Sequence, residues 1–161
     1  MALPRQTAAL ALAMLLSATG FWLGETDWPP LAPPPIVVGI VGSVVVAFAV
    51  EGRPVMKVSA AAAMIALYAF AFFGGSDSFY RAFNECVNRG EEVRILLGEY
   101  HRSHGVYPDT LNQLQSPIPC ARIGRPTILT YERTTKGYTL GFRDWLVDFT
   151  ASEDASFFAH K

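Results

Sequence analysis

The chain has 161 residues, 51% of them hydrophobic, with 13 basic and 14 acidic side chains and a formal net charge of −1. Only six of those charges fall within residues 1–75, and both halves are close to neutral. No basic patch is present to displace counterions from phosphates, which argues against nucleic acid as a partner.

Three segments, Thr7–Gly24, Leu31–Val50 and Val58–Gly75, contain no Asp, Glu, Lys, Arg or His. At 18 to 20 residues each, they are long enough to cross a ~30 Å hydrocarbon core as helices. The sequence therefore predicts a membrane domain over residues 1–75 with three transmembrane helices at about 7–24, 31–50 and 58–75. An alternative for the first segment is a secretory signal, with Met1–Thr7 as its charged start and Ala8–Ala18 as its apolar stretch. Leu16 stands where such a signal wants a small residue, and either reading leaves the following domain on the same side.

Orientation comes from the loops. Arg5 precedes the first span, and Arg53 and Lys57 lie between the second and third. By contrast, Glu25-Thr26-Asp27-Trp28-Pro29-Pro30 has no basic residue. The excess of basic residues places the N-terminus and the Glu51–Lys57 turn in the cytoplasm, and the C-terminal domain outside it. No span holds an ionisable residue, which argues against a proton relay or ion path. Small residues recur at four-residue spacing instead: Ala9, Ala13 and Ser17 in the first helix, and Gly39, Ser43 and Ala47 in the second. Such faces let helix backbones approach closely in lipid, for packing within the anchor or docking of another membrane protein. Pro33-Pro34-Pro35 opens the second helix, where a missing N–H costs little.

Residues 76–161 form the second predicted domain. Gly74-Gly75 is expected to close the third span, and Ser76-Asp77-Ser78 to cap a new helix. From there Phe79, Phe83, Cys86, Val87, Gly90, Val93, Leu97, Tyr100 and His104 recur at helical spacing, with Arg81, Glu85, Arg89, Glu92, Glu99 and Arg102 on other faces. Gly105 is the expected C-cap. After Tyr107-Pro108 a short helix is predicted, with Asp109 as its cap and Leu111 and Leu114 turned inward. Ser116–Pro126, with three prolines and a glycine, reads as a loop. Thr127–Arg133 then reads as a strand, Thr134-Thr135-Lys136-Gly137 as a hairpin turn, and Tyr138, Leu140 and Phe142 as the inward side of a second strand. Trp145, Val147 and Phe149 repeat the alternation. The fold class is α+β: three transmembrane helices, then one long helix on a small antiparallel sheet.

The run from Glu92 to Leu114, with its helix ending near Tyr100 and then Gly105-Val106-Tyr107-Pro108, resembles the type IV pilin and type II secretion pseudopilin families. The segment from Tyr131 through Gly137-Tyr138-Thr139-Leu140-Gly141-Phe142 is similar to the first hairpin of those families. The likeness covers roughly residues 79–149 and implies a pilin-like globular domain. In it Tyr100, Gly105, Tyr107, Pro108, Gly137 and Tyr138 are structural motif positions. Family members have a leader, a cleavage site beside Phe and Glu, and one membrane helix running straight into the long helix. Here three spans come first, and Gly74-Gly75 is expected to interrupt the passage. The calcium site of some pseudopilins is not carried over, since no acidic loop aligns with it.

Cys86 and Cys120 are the only cysteines, and both fall in the part predicted to lie outside the cytoplasm. An even count in an oxidising compartment favours a disulfide. It would close a loop of about 35 residues and contribute about 4 kcal/mol on the chain-entropy relation. His101 and His104, three apart with Glu99 nearby, share a helical face as metal ligands do, but no third ligand stands at a recognisable spacing. His104 is expected to finish the apolar stripe and His101 to be solvated. Asp144 and Asp148 read as a solvated pair, and Ser156–Lys161 as a frayed, packed or edge-strand tail. Nucleophile and phosphate-loop motifs are absent from the sequence.

No catalytic residue, cofactor or metal is assigned, and no enzyme activity is expected. The resemblance and the topology imply a bacterial-type inner-membrane protein whose extracytoplasmic domain serves protein–protein interaction or assembly of an envelope complex. Its partners would be the lipid bilayer and another membrane or exported protein. A membrane sensor, a toxin–immunity protein and an enzyme acting on envelope substrates are the alternatives.

Overall fold

The computed structural model describes residues 5–28, 32–49, 52–114 and 116–160, with side chains from Thr7 onward. The side chain of Arg5, the loop prolines Pro29 and Pro30, the span limits Leu31 and Val50, and Glu51 lie outside the described residues. The elements in order are α1 (Arg5–Gly24), α2 (Pro33–Ala49), α3 (Pro54–His104), a 3-10 turn (Leu111–Gln113), and strands β1 (Thr130–Arg133), β2 (Tyr138–Asp144), β3 (Val147–Ser152) and β4 (Phe158–His160). The chain divides into two units, Met1–Asp77 and Ser78–Lys161.

In the first unit, two helices are long and apolar enough to span a membrane: α1 over Thr7–Gly24, and α3 through its apolar first part. The helix between them, α2, is apolar but has 17 residues. Large apolar side chains cover the outside of this unit, among them Met14, Leu15, Val41, Phe48 and Phe70, the last 80% exposed. Inside lies a cluster of Leu16, Val46, Met64, Tyr68 and Phe72.

Tyr68 organises that interior. Its hydroxyl donates to the Pro35 carbonyl at 2.7 Å, and its ring fills space left by two glycines. A Cβ on Gly39 would come within 2.5 Å of the ring, and one on Gly20 within 2.9 Å. Small residues thus serve here to seat one large side chain between helices. Gly39, Ser43 and Ala47 are buried in α2 together with Pro35 and Val46. On α1, Ala9, Ala13 and Ser17 are half-buried, and the fully buried positions are Leu16, Gly20 and Gly24. The Ser17 and Ser43 hydroxyls donate within their own helices, to the carbonyls of Ala13 and Gly39 at 2.9 and 2.6 Å. Glu25, expected in an exposed loop, is wholly buried at the end of α1.

The break expected at Gly74-Gly75 does not occur, because α3 continues through both glycines to His104. Gly75 stays helical because a neighbouring helix occupies the space of its side chain: a Cβ there would overlap the Phe21 carbonyl of α1. Ser76, Asp77 and Ser78 are therefore interior helix residues instead of caps. The buried Ser78 hydroxyl accepts from the Ile123 N–H at 3.3 Å.

In the second unit, the four strands form an antiparallel meander in the order β1-β2-β3-β4. Tyr138, Leu140 and Phe142 of β2 are buried while Thr139 and Arg143 are exposed, the alternation of a half-buried strand. They pack with Cys86, Val93, Leu97, Tyr107, Leu111, Leu114 and Leu129 in one core. The buried helix face is Phe79, Ala82, Cys86, Gly90, Val93 and Leu97. Val87, placed on that face by the sequence, is 54% exposed; it lies one helical step of about 100° from Cys86. The short helix after Pro108 is a 3-10 turn whose N-cap is Thr110, not Asp109. Gln113 Oε1 accepts from the N–H groups of both residues, at 2.6 Å from Asp109 and 3.3 Å from Thr110. The tail forms an edge strand, with Phe158 paired to Thr150.

Candidate functional site

At the far end of α3 the chain reverses. Gly105 takes φ +74°, a left-handed conformation natural to glycine, and its N–H donates to the His101 carbonyl at 2.8 Å. This turns Val106-Tyr107-Pro108 back against the domain. The Tyr107 ring stacks on His101 at 4.4 Å and meets the Tyr138 ring edge-on at 5.0 Å. Tyr131 fixes the same segment, its hydroxyl donating to the Pro108 carbonyl at 2.6 Å. An ion pair between Arg133 and Asp109, also at 2.6 Å, ties it to β1.

The hairpin supplies the opposite wall. Thr134 N–H donates to the Gly137 carbonyl at 2.9 Å, closing the turn. The bare backbone of Gly137 lets the Glu153 side chain lie against the turn: a Cβ there would stand 2.5 Å from its carboxylate, which would have to swing aside. Glu153 is held from behind by Arg94, whose guanidinium donates to the carbonyls of Ser152 and Glu153 at 3.1 and 3.3 Å. In front, the Tyr107 hydroxyl lies near the Glu153 carboxylate.

Together these groups border a polar cleft of about 310 Å3, lined by His101, Val106, Tyr107, Arg133, Lys136 and Glu153 among others. Each wall is anchored by a buried ring or a hydrogen bond, so the cleft is set before anything enters it. Lys136 is exposed and its ammonium has no ion-pair partner among the described residues.

Burial pushes the Tyr107 hydroxyl far above its ordinary range, and the neighbouring Glu153 carboxylate pushes the same way. Burial also raises Tyr138, against the opposing pull of Arg94, and Tyr131, against that of Arg133. These raised values favour the folded state fully below the unfolded tyrosine pKa of about 10, and that contribution is lost as pH rises through the folded values. Tyrosinate absorbance is therefore expected to develop later in the native chain than in the denatured chain. Glu153→Gln should recover part of the lag, whereas coincident curves would contradict this account.

Of the residues chosen from the sequence, Gly105, Tyr107, Pro108, Gly137 and Tyr138 meet around this cleft. Tyr100 lies one turn back and stacks on His104 at 4.1 Å. The two histidines exchange expected roles: His101 is half-buried on Tyr107, and His104 is exposed. Arg94, Arg133 and Glu153 were missed. Their spacing carries no pattern, and only pairing of β2 with β3 brings Glu153 to Gly137.

Cys86 and Cys120 are bonded, with Cα atoms 5.1 Å apart, away from the cleft in the buried core. Cys120 holds φ +73°, and its N–H donates to Glu85 at 2.9 Å while its carbonyl accepts from Ile128 at 3.1 Å. Among the described residues, no three His, Cys, Asp or Glu side chains converge where a metal ion would sit. Comparison of the chain with family models, with curated proteins and with solved structures gave no match.

Proposed function

We propose that this is a multi-pass membrane protein that presents a pilin-like α+β domain outside the cytoplasm, where it binds a polar segment of another envelope protein. The observation that carries the reading is the preformed cleft, whose lining of Lys136, His101, Glu153 and Tyr107 offers donors and acceptors and is more polar than apolar. Such a lining suits recognition of backbone and charged side chains, with orientation fixed by few well-placed groups.

Three spans are proposed, with α2 as the second. Its 17 residues rise about 25 Å, which meets a hydrocarbon core with slight local thinning. Support comes from the belt of exposed aliphatic and aromatic side chains around the first unit, which water would not favour. The Cys86–Cys120 bond supports an oxidising compartment for the second unit. The likeness to pilins draws support from α3 running without interruption toward the Gly105-Val106-Tyr107-Pro108 reversal.

The test is site-specific photocrosslinking in intact cells, with the probe at Lys136 or, as a control, at Asn88 on an exposed helix face. A single reproducible protein adduct is expected from position 136 and none from position 88. Charge reversal at the neighbouring Arg133, with the probe kept at 136, should reduce that adduct about tenfold, the effect of ~1.4 kcal/mol in binding. The same adducts from both positions, or none, would refute cleft-mediated binding.

A further inference from the structure

The end of the second unit opposite the cleft carries a different kind of surface. Strand β2 starts with Tyr138, whose hydroxyl lies near Arg94 of α3. Four residues later Phe142 meets Phe83 at 5.7 Å, so the strand runs back along the helix toward its Ser78 end. Phe149 of β3 also touches Phe83 at 5.7 Å. The connecting residues Trp145 and Leu146 therefore project beyond Phe83, by about 10 Å at strand rise. Ile123 joins this end directly through its N–H bond to Ser78. Trp145, Leu146 and Ile123 are 52%, 57% and 73% exposed, and Tyr80, two residues along α3 from Ser78, is 45% exposed.

We infer that Ile123, Trp145 and Leu146 form a membrane-contacting tip that lodges in the lipid headgroup layer of the bilayer the chain itself crosses. The inference rests on the reading that Val58–Gly75 spans that bilayer. Chain reach then limits the distance: Ser78 is three residue steps from Gly75, which extend at most about 11 Å in any conformation. The Ser78 end of the domain is thus held within the headgroup zone, and a Trp and a Tyr beside aliphatic side chains are the residue types that zone favours. An aqueous setting would leave these large apolar side chains without cover. A shallow lipid contact buries them and steadies the domain on its anchor.

The experiment uses the full chain with Trp22→Phe and Trp28→Phe, so that Trp145 is the sole tryptophan, reconstituted in phosphatidylethanolamine–phosphatidylglycerol vesicles. Flotation and resistance to alkaline extraction report on the span, and the gel shift on reducing Cys86–Cys120 reports on folding. Trp145 is expected to lose about half its emission to lipids brominated high on the acyl chain and to resist aqueous iodide, as an interfacial ring does. Adding Ile123→Ser and Leu146→Ser should return it to iodide with the disulfide intact. A chain that floats but leaves Trp145 open to iodide overturns the tip alone, whereas a chain extracted from vesicles overturns the span on which it rests. Shielding that occurs in native membranes but not in lipid vesicles would assign the tip to a protein and overturn the lipid contact.

Discussion

Replacing Cys86 and Cys120 by serine is expected to cost the second unit about 4 kcal/mol, from the closure of a loop of about 35 residues in the unfolded chain. Folded domains are stable by only about 5–15 kcal/mol, and a domain this small lies toward the bottom of that range. The bond also ties the Pro-rich loop to the core. Cys120 sits in a left-handed conformation that a non-glycine residue resists. The disulfide and the bonds from Cys120 N–H to Glu85 and from Ile128 N–H to the Cys120 carbonyl hold it there. Denaturant unfolding of the full chain in detergent, read by near-ultraviolet dichroism of the tyrosine cluster, should show the second unit unfolding at much lower denaturant in the double serine variant. A loss below about 1 kcal/mol would mean that the loop is already ordered without the bond.

Much of the second unit was legible because its signals are local. The helix face from Phe79 to Leu97, the Gly105 reversal and the alternation Tyr138-Leu140-Phe142 each follow from spacing or from one residue's conformational freedom. Boundaries failed where tertiary contact overrode local propensity. Gly74-Gly75 reads as a helix end, yet it is helix interior, since glycine there answers the close approach of Phe21. Thr110 displaces Asp109 as cap because Asp109 pairs with Arg133 across 24 residues. The cleft was half legible. Its backbone reversals announce themselves through Gly105, Pro108 and Gly137, whereas the charged lining of Arg133, Lys136 and Glu153 arises only from strand register. In the first unit, the buried face of Gly39, Ser43 and Ala47 could be read from small-residue spacing. That Tyr68 is the side chain seated on Gly39 could not, because nothing in α2 specifies its partner.

The adjacent glycines of α3 are expected to behave oppositely when changed to alanine. At Gly74 an added Cβ meets only the edge of the Phe21 ring at 3.8 Å, an ordinary contact, and the gain in helix propensity should stabilise by about 0.5–1 kcal/mol. At Gly75 the same methyl overlaps the Phe21 carbonyl and comes within 3.1 Å of the Glu25 amide nitrogen, and at Gly24 it overlaps the Phe72 carbonyl. These obstacles are backbone atoms, which cannot rotate aside, so α1 and α3 must part along their whole contact. That separation would loosen the packing in which Tyr68 sits between Gly20 and Gly39, and each substitution should cost about 3 kcal/mol, the upper end for overpacking. Gly24→Ala and Gly75→Ala obstruct the same approach, and the separation forced by one makes room for the other, so their combined cost should fall short of the sum. Thermal unfolding in micelles, with Gly98→Ala as a reference because its Cβ meets nothing within 4 Å, separates the two cases. Equal effects at Gly74 and Gly75 would show that helix propensity governs this stretch, and that α1 and α3 do not pack backbone to backbone.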